Sequence, residues 1–356
     1  MSIGKTTHTN YITLSHGSGG VETFEILKRI VLSKVKEELK KVGSGVGIDV
    51  LDDGALIPMP NGGYIVVSTD SYTVNPIVFP GGNIGSLAAC GSINDVLMMG
   101  GRPIAILDSI VVEEGFPLDQ LEMIMDSFIE IAHRENVAII GGDFKVMPKG
   151  QLDKIVINTT ALGFTNKPIV DNVKPSDKII VSDYVGDHGA VIMLLQLGLE
   201  NKVDEISKGL LKSDVKPLTN LMIPLIEKYG EYIHAARDPT RGGLAGVLNE
   251  WSSRSGLLIV VDENKIPIRE PVKRYSDIVG IDPVYLASEG VAVLSVDGSV
   301  ADEIIDFMEK LGFSNARVIG EVKFSEKYRG YVLAKTPIGG FRLIDPPRGE
   351  LIPRIC

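Results

Sequence analysis

The sequence predicts an α/β (α+β) protein of two domains that ends in an extended tail. Three observations predict it. At 356 residues the chain is longer than one ordinary hydrophobic core serves. Short strand-like runs alternate with stretches of helical period along its length, the pattern of layered α/β proteins. The alternation breaks once, at the polar stretch TNKPIVDNVKPSDK (165–178) with its two prolines, and then restarts. These divisions give an N-terminal domain over 1–166, a C-terminal domain over 167–340 and a tail over 341–356.

In the first domain YIVVST (64–69), IAILDSIVV (104–112) and KIVINTTALGF (154–164) read as buried strands. Between them, residues 118–136 place Leu118, Leu121, Met125, Phe128 and Ala132 on one face of a helix that Pro117 opens. The stretch NIGSLAACGSINDVLMMGG (83–101) is apolar on nearly every side. It predicts a buried helix stopped by Gly-Gly-Arg-Pro. After the linker come strand KIIVS, helices in GAVIMLLQLGL, VKPLTNLMIPLIEKYG and GGLAGVLNEWSSRSG, and strand LLIVV. EGVAVLSV, ADEIIDFMEKLG, ARVIGEV and GYVLAK complete a second α/β unit. From about residue 341 the chain is poor in apolar residues and carries Pro346, Pro347 and Pro353, so an extended tail is expected there.

Apolar residues make up 44% of the chain, enough for a sizeable core, and the net charge is −10 with no basic block. Nucleic acid and membrane are therefore not expected as partners. The start MSIGKTTHTNY has no apolar signal core, and AVIMLLQLGL is about half of the roughly 20 residues that a membrane helix needs. A cytoplasmic location follows as an expectation. Cys90 and Cys356 are the only cysteines, too few for a zinc finger, an iron–sulfur site or a disulfide framework. Cys90, in SLAACGSI, reads as a core thiol, and Trp251 as packing. Cys356 is the last residue, where a side chain cannot be enclosed from both directions along the chain. PRIC is not a prenylation signal, which needs its cysteine four places from the end.

Several aspartates sit where solvated charge does not belong: Asp52 and Asp53 in DVLDDGALIPM, Asp70 in VVSTDSY, Asp95 in INDVLMMGG, Asp143 in IIGGDFKV and Asp238 in AARDPTRGG. Each alone also fits a helix cap or a strand end. As a set they suit a hard cation, since Mg²⁺ takes one or two carboxylates together with nucleotide phosphates. The run HGSGG (16–20) opens an amphipathic helix, so its backbone amides could approach phosphate, although it is neither a Walker A loop nor a dinucleotide fingerprint. His16 has only a supporting place there. Lys145 follows Gly-Gly-Asp-Phe and could neutralise a phosphate or polarise a carbonyl. Glu289, ahead of a glycine and a buried strand, could be desolvated enough to act as a base.

HGSGG, LDDGALIP, STDSYTVNPIVFPGGNIGSLAACGSINDVLMMGGRP, EEGFP, GGDFKV, ARDPTRGG, ASEG and terminal PRIC occur in that order. Together they resemble the HypE family of hydrogenase maturation factors, within the AIR synthetase (PurM-like) superfamily, from Ile12 to Cys356. The resemblance implies a two-domain PurM-like fold, mixed sheets covered by helices, and a homodimer. It implies ATP and Mg²⁺ bound mainly by the N-terminal domain near the dimer interface. The metal positions would be Asp53, Asp70, Asp95 and Asp238, with Asp52 and Asp53 not separable from sequence. The nucleotide contacts would be His16, Gly17, Ser18, Gly19, Gly20, Asn94, Asp143 and Arg241 together with Asp53, Asp70 and Asp95. The family makes the cyanide of [NiFe]-hydrogenases. A carbamoyltransferase, HypF, loads the terminal cysteine, ATP drives dehydration to a thiocyanate, and the cyano group passes to iron on HypC–HypD. Here that implies catalytic roles for Cys356, Lys145 and Glu289. One departure is Asn83, in FPGGN, where the family carries Asp; a contact from that position to a cation or lysine would be weakened.

A tail of about 14 residues could reach roughly 45 Å. A thiol loaded at one protein, processed in a second site and unloaded at a third gains from such an arm, stiffened by its prolines and steered by Arg348 and Arg354. The rivals are other PurM-like enzymes, such as selenophosphate synthetase or a small-molecule kinase, and a non-catalytic carrier. None of the rival enzymes accounts for a terminal cysteine, and a mere carrier has no need of the aspartates.

Overall fold

The computed structural model describes residues 11–199, 203–349, 352 and 354–356. Pro353, one of the three prolines expected to stiffen the tail, lies outside the described residues, as do residues 1–10. The first domain runs α1 (Val21–Leu27), β1 (Ala55–Pro58), β2 (Tyr64–Tyr72), the small pair β3 (Val78–Phe79) and β4 (Gly82–Asn83), α2 (Ile84–Met98), β5 (Arg102–Glu113), α3 (Leu118–Arg134), β6 (Ala138–Met147) and β7 (Ile155–Thr165). Its sheet has the order β1-β2-β7-β5-β6. Only the β5–β6 pair is parallel, as the intervening α3 crossover requires. Burial alternates residue by residue along β7, so one face of this sheet meets the core and the other does not.

The second domain contains β8 (Lys178–Val181), α4 (Asp187–Gln196), α5 (Asp204–Ser207), α6 (Thr219–Tyr229), β9 (Ile233–Arg237), α7 (Gly243–Ser255), β10 (Leu258–Asp262), α8 (Glu270–Val279), β11 (Val293–Val296), α9 (Ala301–Lys310), β12 (Arg317–Lys323), β13 (Val332–Lys335) and β14 (Phe341–Leu343). Its sheet has the order β14-β13-β10-β12-β8-β11-β9. Two mixed sheets covered by helices are the PurM-like arrangement expected.

Helix α2 explains why its sequence is apolar all round. It lies on β2 and β7, against α3, and also against α6 of the second domain. Every residue of it is buried except Asp95. Burying a Leu or Ile there contributes about 1.5–3 kcal/mol each. The core around α2 runs on into α4, α6 and α9, while a separate core lies between the seven-stranded sheet and α7 around Trp251. The two domains therefore share a hydrophobic interior.

Three stretches gain definition. The linker is packed: Ile169 and Val173 are buried in it, Ile169 N–H donates to Met99 O (3.1 Å) and Asn172 N–H to His234 O (2.9 Å). Residues 341–343 form β14 by pairing with β13, so the extended segment begins after them. The Asn83 side chain is occupied within the chain. It caps α2, accepting from Gly85 N–H (2.8 Å) and Ser86 N–H (3.0 Å), while its amide donates to Ser127 Oγ (2.8 Å).

Candidate active site

The end of the tail lies between the domains. Arg354 and Cys356 run antiparallel to residues 73–75: Thr73 N–H donates to a terminal carboxylate oxygen of Cys356 (3.0 Å) and Asn75 N–H to Arg354 O (3.1 Å). Thr73 Oγ1 donates to the same oxygen of Cys356 (3.1 Å). Arg354 Nε donates to Thr73 O (2.7 Å), and its guanidinium pairs with Asp153. Further back, Ser18 Oγ donates to Gly349 O (2.8 Å) and Val21 N–H to Pro347 O (3.2 Å). The glycine run is thus a cradle for the tail. A Cβ on Gly20 would come within 2.5 Å of Pro347 O. Gly19 has φ of +80° and a Cβ there would meet Arg241 at 2.6 Å, so only glycine fits both demands. Beside the tail is a cavity of about 260 Å³ lined by Gly17, Ser18, Thr73, Arg241, Gly242 and Cys356. His16 takes no part in it, because its Nδ1 is turned back to Thr13 N–H (3.0 Å) and Thr13 Oγ1 (2.8 Å).

Around the Cys356 sulfur stand Arg241, Glu289, Asp70 and Asp238. Burial pushes the thiol up, and Glu289, Asp70 and Asp238 add to this against the opposing charge of Arg241. Docked, the sulfur is therefore a protonated thiol. Arg241 Nη2 lies 3.5 Å from Asp70 Oδ1, the carboxylate that pairs with its charge while the thiol is neutral. Glu289 is 1% exposed, and among the described residues neither of its carboxylate oxygens has a partner. Burial first, then Asp238, Asp214 and Asp70, push its pKa well above the usual carboxylate range.

Asp95, on α2, accepts from Ser68 Oγ of β2. Burial, then Asp238 and Asp70, push it well up. Asp238 is pushed up by burial, then Asp53 and Asp70, and its Oδ2 has no partner. Asp53 is also raised, mainly by burial, against the pull of Arg237, with Asp95 adding repulsion. Asp52 and Asp53 are not equivalent. Asp52 accepts from Asp53 N–H (3.0 Å) and from Asp171 N–H (2.9 Å), whereas Asp53 Oδ1 accepts from Arg237 Nη1 (2.6 Å) and its Oδ2 has no partner among the described residues. Among the described residues no three His, Cys, Asp or Glu side chains form a ready-made metal cage. The donor chemistry still suits a divalent cation: mutually repelling buried carboxylates with partnerless oxygens call for positive charge.

Several expected residues stand elsewhere. Lys145 and Asp143 project from exposed β6, the sheet edge three strands from β2, and pair with each other (2.6 Å). Asn94 spends its amide on structure: Nδ2 donates to Lys216 O (3.1 Å) and, more weakly, to Glu289 O (3.4 Å), and Oδ1 accepts from Leu218 N–H (2.8 Å). It holds the Glu289 loop in place and offers nothing to a nucleotide. Sequence reasoning missed Arg237, which joins Asp53, Asp52 and Asp171 and donates to Leu51 O (2.8 Å). It stood inside the quoted ARDPTRGG, so the motif was visible and the role was not. Asp214, which accepts from Glu289 N–H (3.1 Å), and Thr73 carried no signal at all.

Residues 51–165 match the model of the AIR synthase related protein N-terminal domain, and residues 174–332 that of the C-terminal domain. A putative hydrogenase expression/formation protein of Methanocaldococcus jannaschii is 39% identical over 350 residues, covering 97% of this chain and 99% of its own. The carbamoyl dehydratase HypE of Cupriavidus necator is 36% identical over 350 residues, covering 97% and 95%. Among solved structures, a HypE–HypF complex aligns with a TM-score of 0.81 at 36% identity, covering 92% of this chain and 100% of that one. HypE in complex with ATP aligns with a TM-score of 0.77 at 35% identity, covering 97% and 100%. With two domains matched and relatives similar from end to end, the chain belongs to the HypE family of carbamoyl dehydratases in hydrogenase maturation.

Proposed function

We propose that this chain uses ATP to dehydrate a carbamoyl group carried on the sulfur of Cys356, yielding a thiocyanate as the source of hydrogenase cyanide. The observation that carries the reading is the position of Cys356, hydrogen-bonded to Thr73 beside Arg241 and the partnerless carboxylate of Glu289. In the first step the amide oxygen of the S-carbamoyl group attacks the γ-phosphorus of ATP. ADP leaves and one nitrogen-bound proton passes to an oxygen of the transferred phosphoryl group, giving an O-phosphorylated imidate. In the second step the C–O bond breaks, phosphate departs with the oxygen, the second N–H proton is removed and C≡N forms. In its ionised form Glu289 is the proposed acceptor for the second nitrogen-bound proton, and its raised proton affinity favours that transfer. Arg241 orients the tail and the charge that develops near the sulfur. The cavity at Gly17, Ser18 and Arg241 is the proposed ATP site. Asp53, Asp70, Asp95 and Asp238 would hold Mg²⁺, with Asp53 rather than Asp52 because Asp53 keeps an unused oxygen. Bound there, the cation would neutralise phosphate charge.

The exposed β6 edge, with Ile140, Phe144 and Val146 uncovered, supports a homodimer through this face. Lys145 acts on the amide oxygen only across such an interface, since within one chain it pairs with Asp143. The carbamoyl donor is proposed to be a HypF-type carbamoyltransferase and the acceptor a HypC–HypD-type complex, in the cytoplasm. Among the described residues no helix is long and apolar enough to cross a membrane. Intact-mass measurement after mixing with the carbamoyltransferase, carbamoyl phosphate and ATP tests the reading. The expected result is gain of one carbamoyl group followed by ATP-dependent loss of one water, both absent in Cys356→Ala. Loss of water located on any peptide without Cys356 would overturn it.

A further inference from the structure

His188 lies in the first turn of α4, fully buried. Its Nδ1 is 2.8 Å from Ser213 Oγ, and its Nε2 is 2.8 Å from the carbonyl oxygen of Ile355, the residue before Cys356. A carbonyl only accepts, so Nε2 carries the proton and Nδ1 accepts from the Ser213 hydroxyl. Burial pushes the ring's pKa down to about 4, and the neutral ring has the one donor and one acceptor that these contacts require. The Phe79 ring stands edge-on at 5.3 Å. The turn itself is fixed to the loop that leads to Glu289: Gly186 N–H donates to Ser288 Oγ (2.8 Å) and Gly189 N–H to Ala287 O (2.9 Å).

Successive carbonyls of an extended chain point to opposite sides. Those of Arg354 and Cys356 are taken by Asn75 and Thr73 along one edge, and the intervening Ile355 carbonyl turns the other way, toward His188. We propose that His188 is a positioning residue that latches the docked tail, holding Ile355 so that the Cys356 sulfur stays beside Glu289 and Arg241. Its partner is 167 positions away in sequence, on a segment that must leave to be loaded. Departure strips a buried N–H of its acceptor beside the Phe79 ring, and that penalty favours return. His188 does no proton transfer, because both its nitrogens are already used. The inference rests on the reading that the docked tail is the reacting state.

Iodoacetamide alkylation of the full chain without ATP, followed at the Cys356 peptide by mass, measures how often the tail opens. Cys90 is buried and stays silent. His188→Ala and the space-filling His188→Met both remove the donor, and each raises the Cys356 rate about five- to tenfold, as loss of one buried hydrogen bond implies. His188→Gln, whose amide reaches the same carbonyl, restores a rate within about twofold of the parent. An unchanged rate in whichever of the Ala and Met variants keeps the parental melting midpoint overturns the latch. ATP-driven water loss from the carbamoylated proteins is read in parallel. Faster alkylation in variants of a parent that never loses water leaves the latch standing and sinks the proposed function. Parental alkylation together with normal water loss does the reverse.

Discussion

Glu289 carries the sharpest expectation at the scale of a single residue. Glu289→Gln keeps the shape and the backbone contacts of the loop while removing the base. The carbamoylated tail should persist, with water loss slowed at least about 100-fold and binding of a fluorescent ATP analogue unchanged. Water loss at the parental rate would remove Glu289 from the chemistry. Asp214, beneath it, makes a stability prediction. Burial first, then Asp187, raise its pKa to about 7. The native state therefore holds a proton that the unfolded chain releases near pH 4, and this contribution to stability is lost as pH rises from about 4 through about 7. Asp214→Asn keeps the acceptor for Glu289 N–H and removes the titration. Relative to the parent it should gain about 4 kcal/mol between pH 4 and pH 8 in urea unfolding, the full linkage of a carboxyl raised to about 7. A pH-independent difference would contradict the assignment. His188, with its lowered pKa, acts in the opposite sense as pH falls from about 6.5 through 4, but it is common to both proteins and cancels.

Among the elements, α2 and β6 stand at opposite extremes of burial. Helix α2 is enclosed by both domains, and its first turn depends on Asn83. Asn83→Ala should cost about 1 kcal/mol in urea unfolding. Asn83→Asp caps equally well but can keep the Ser127 contact only if the hydroxyl turns its proton from Met123 O, so it should cost less than Asn83→Ala, under about 1 kcal/mol. A large loss in the Asp variant would mean that the position serves more than the cap. Strand β6 is the reverse case, paired among the described residues with β5 alone and exposed over most of its length. Phe144→Asp puts a charge on that face. It should shift sedimentation from dimer to monomer, weakening association at least about tenfold, and lower water loss with it. A dimer as tight as the parent would rule out β6 as the interface.

For the whole molecule, the joint between domains depends on Arg237. Burial works against its charge, yet Asp53, Asp171 and Asp52 hold it firmly protonated. It ties the segment before β1, the interdomain strap and β9 to one point. Arg237→Met should cost about 3–5 kcal/mol in urea unfolding, because it strands buried carboxylates. An effect below about 1 kcal/mol would mean that the joint is held by the shared apolar core around α2 instead.

The strands at 64–69, 104–112 and 154–164 and the buried helix at 83–101 were legible in sequence because hydrophobic period and length are local properties. So were the core thiol of Cys90 and the peculiarity of a terminal Cys356. What stayed hidden depends on chain segments far apart meeting. Asp52 and Asp53 are neighbours with the same chemistry, and only the approach of Arg237 and Asp171 gives them different work. Asn94 looked like part of a ligand-binding motif and became a brace for Glu289. His188, Thr73 and Asp214 acquire meaning only from the tail or the base folded against them. A sequence records which side chains exist and which way each element faces. Only the tertiary structure decides which buried polar atom finds a partner, because that partner is supplied from the opposite end of the chain.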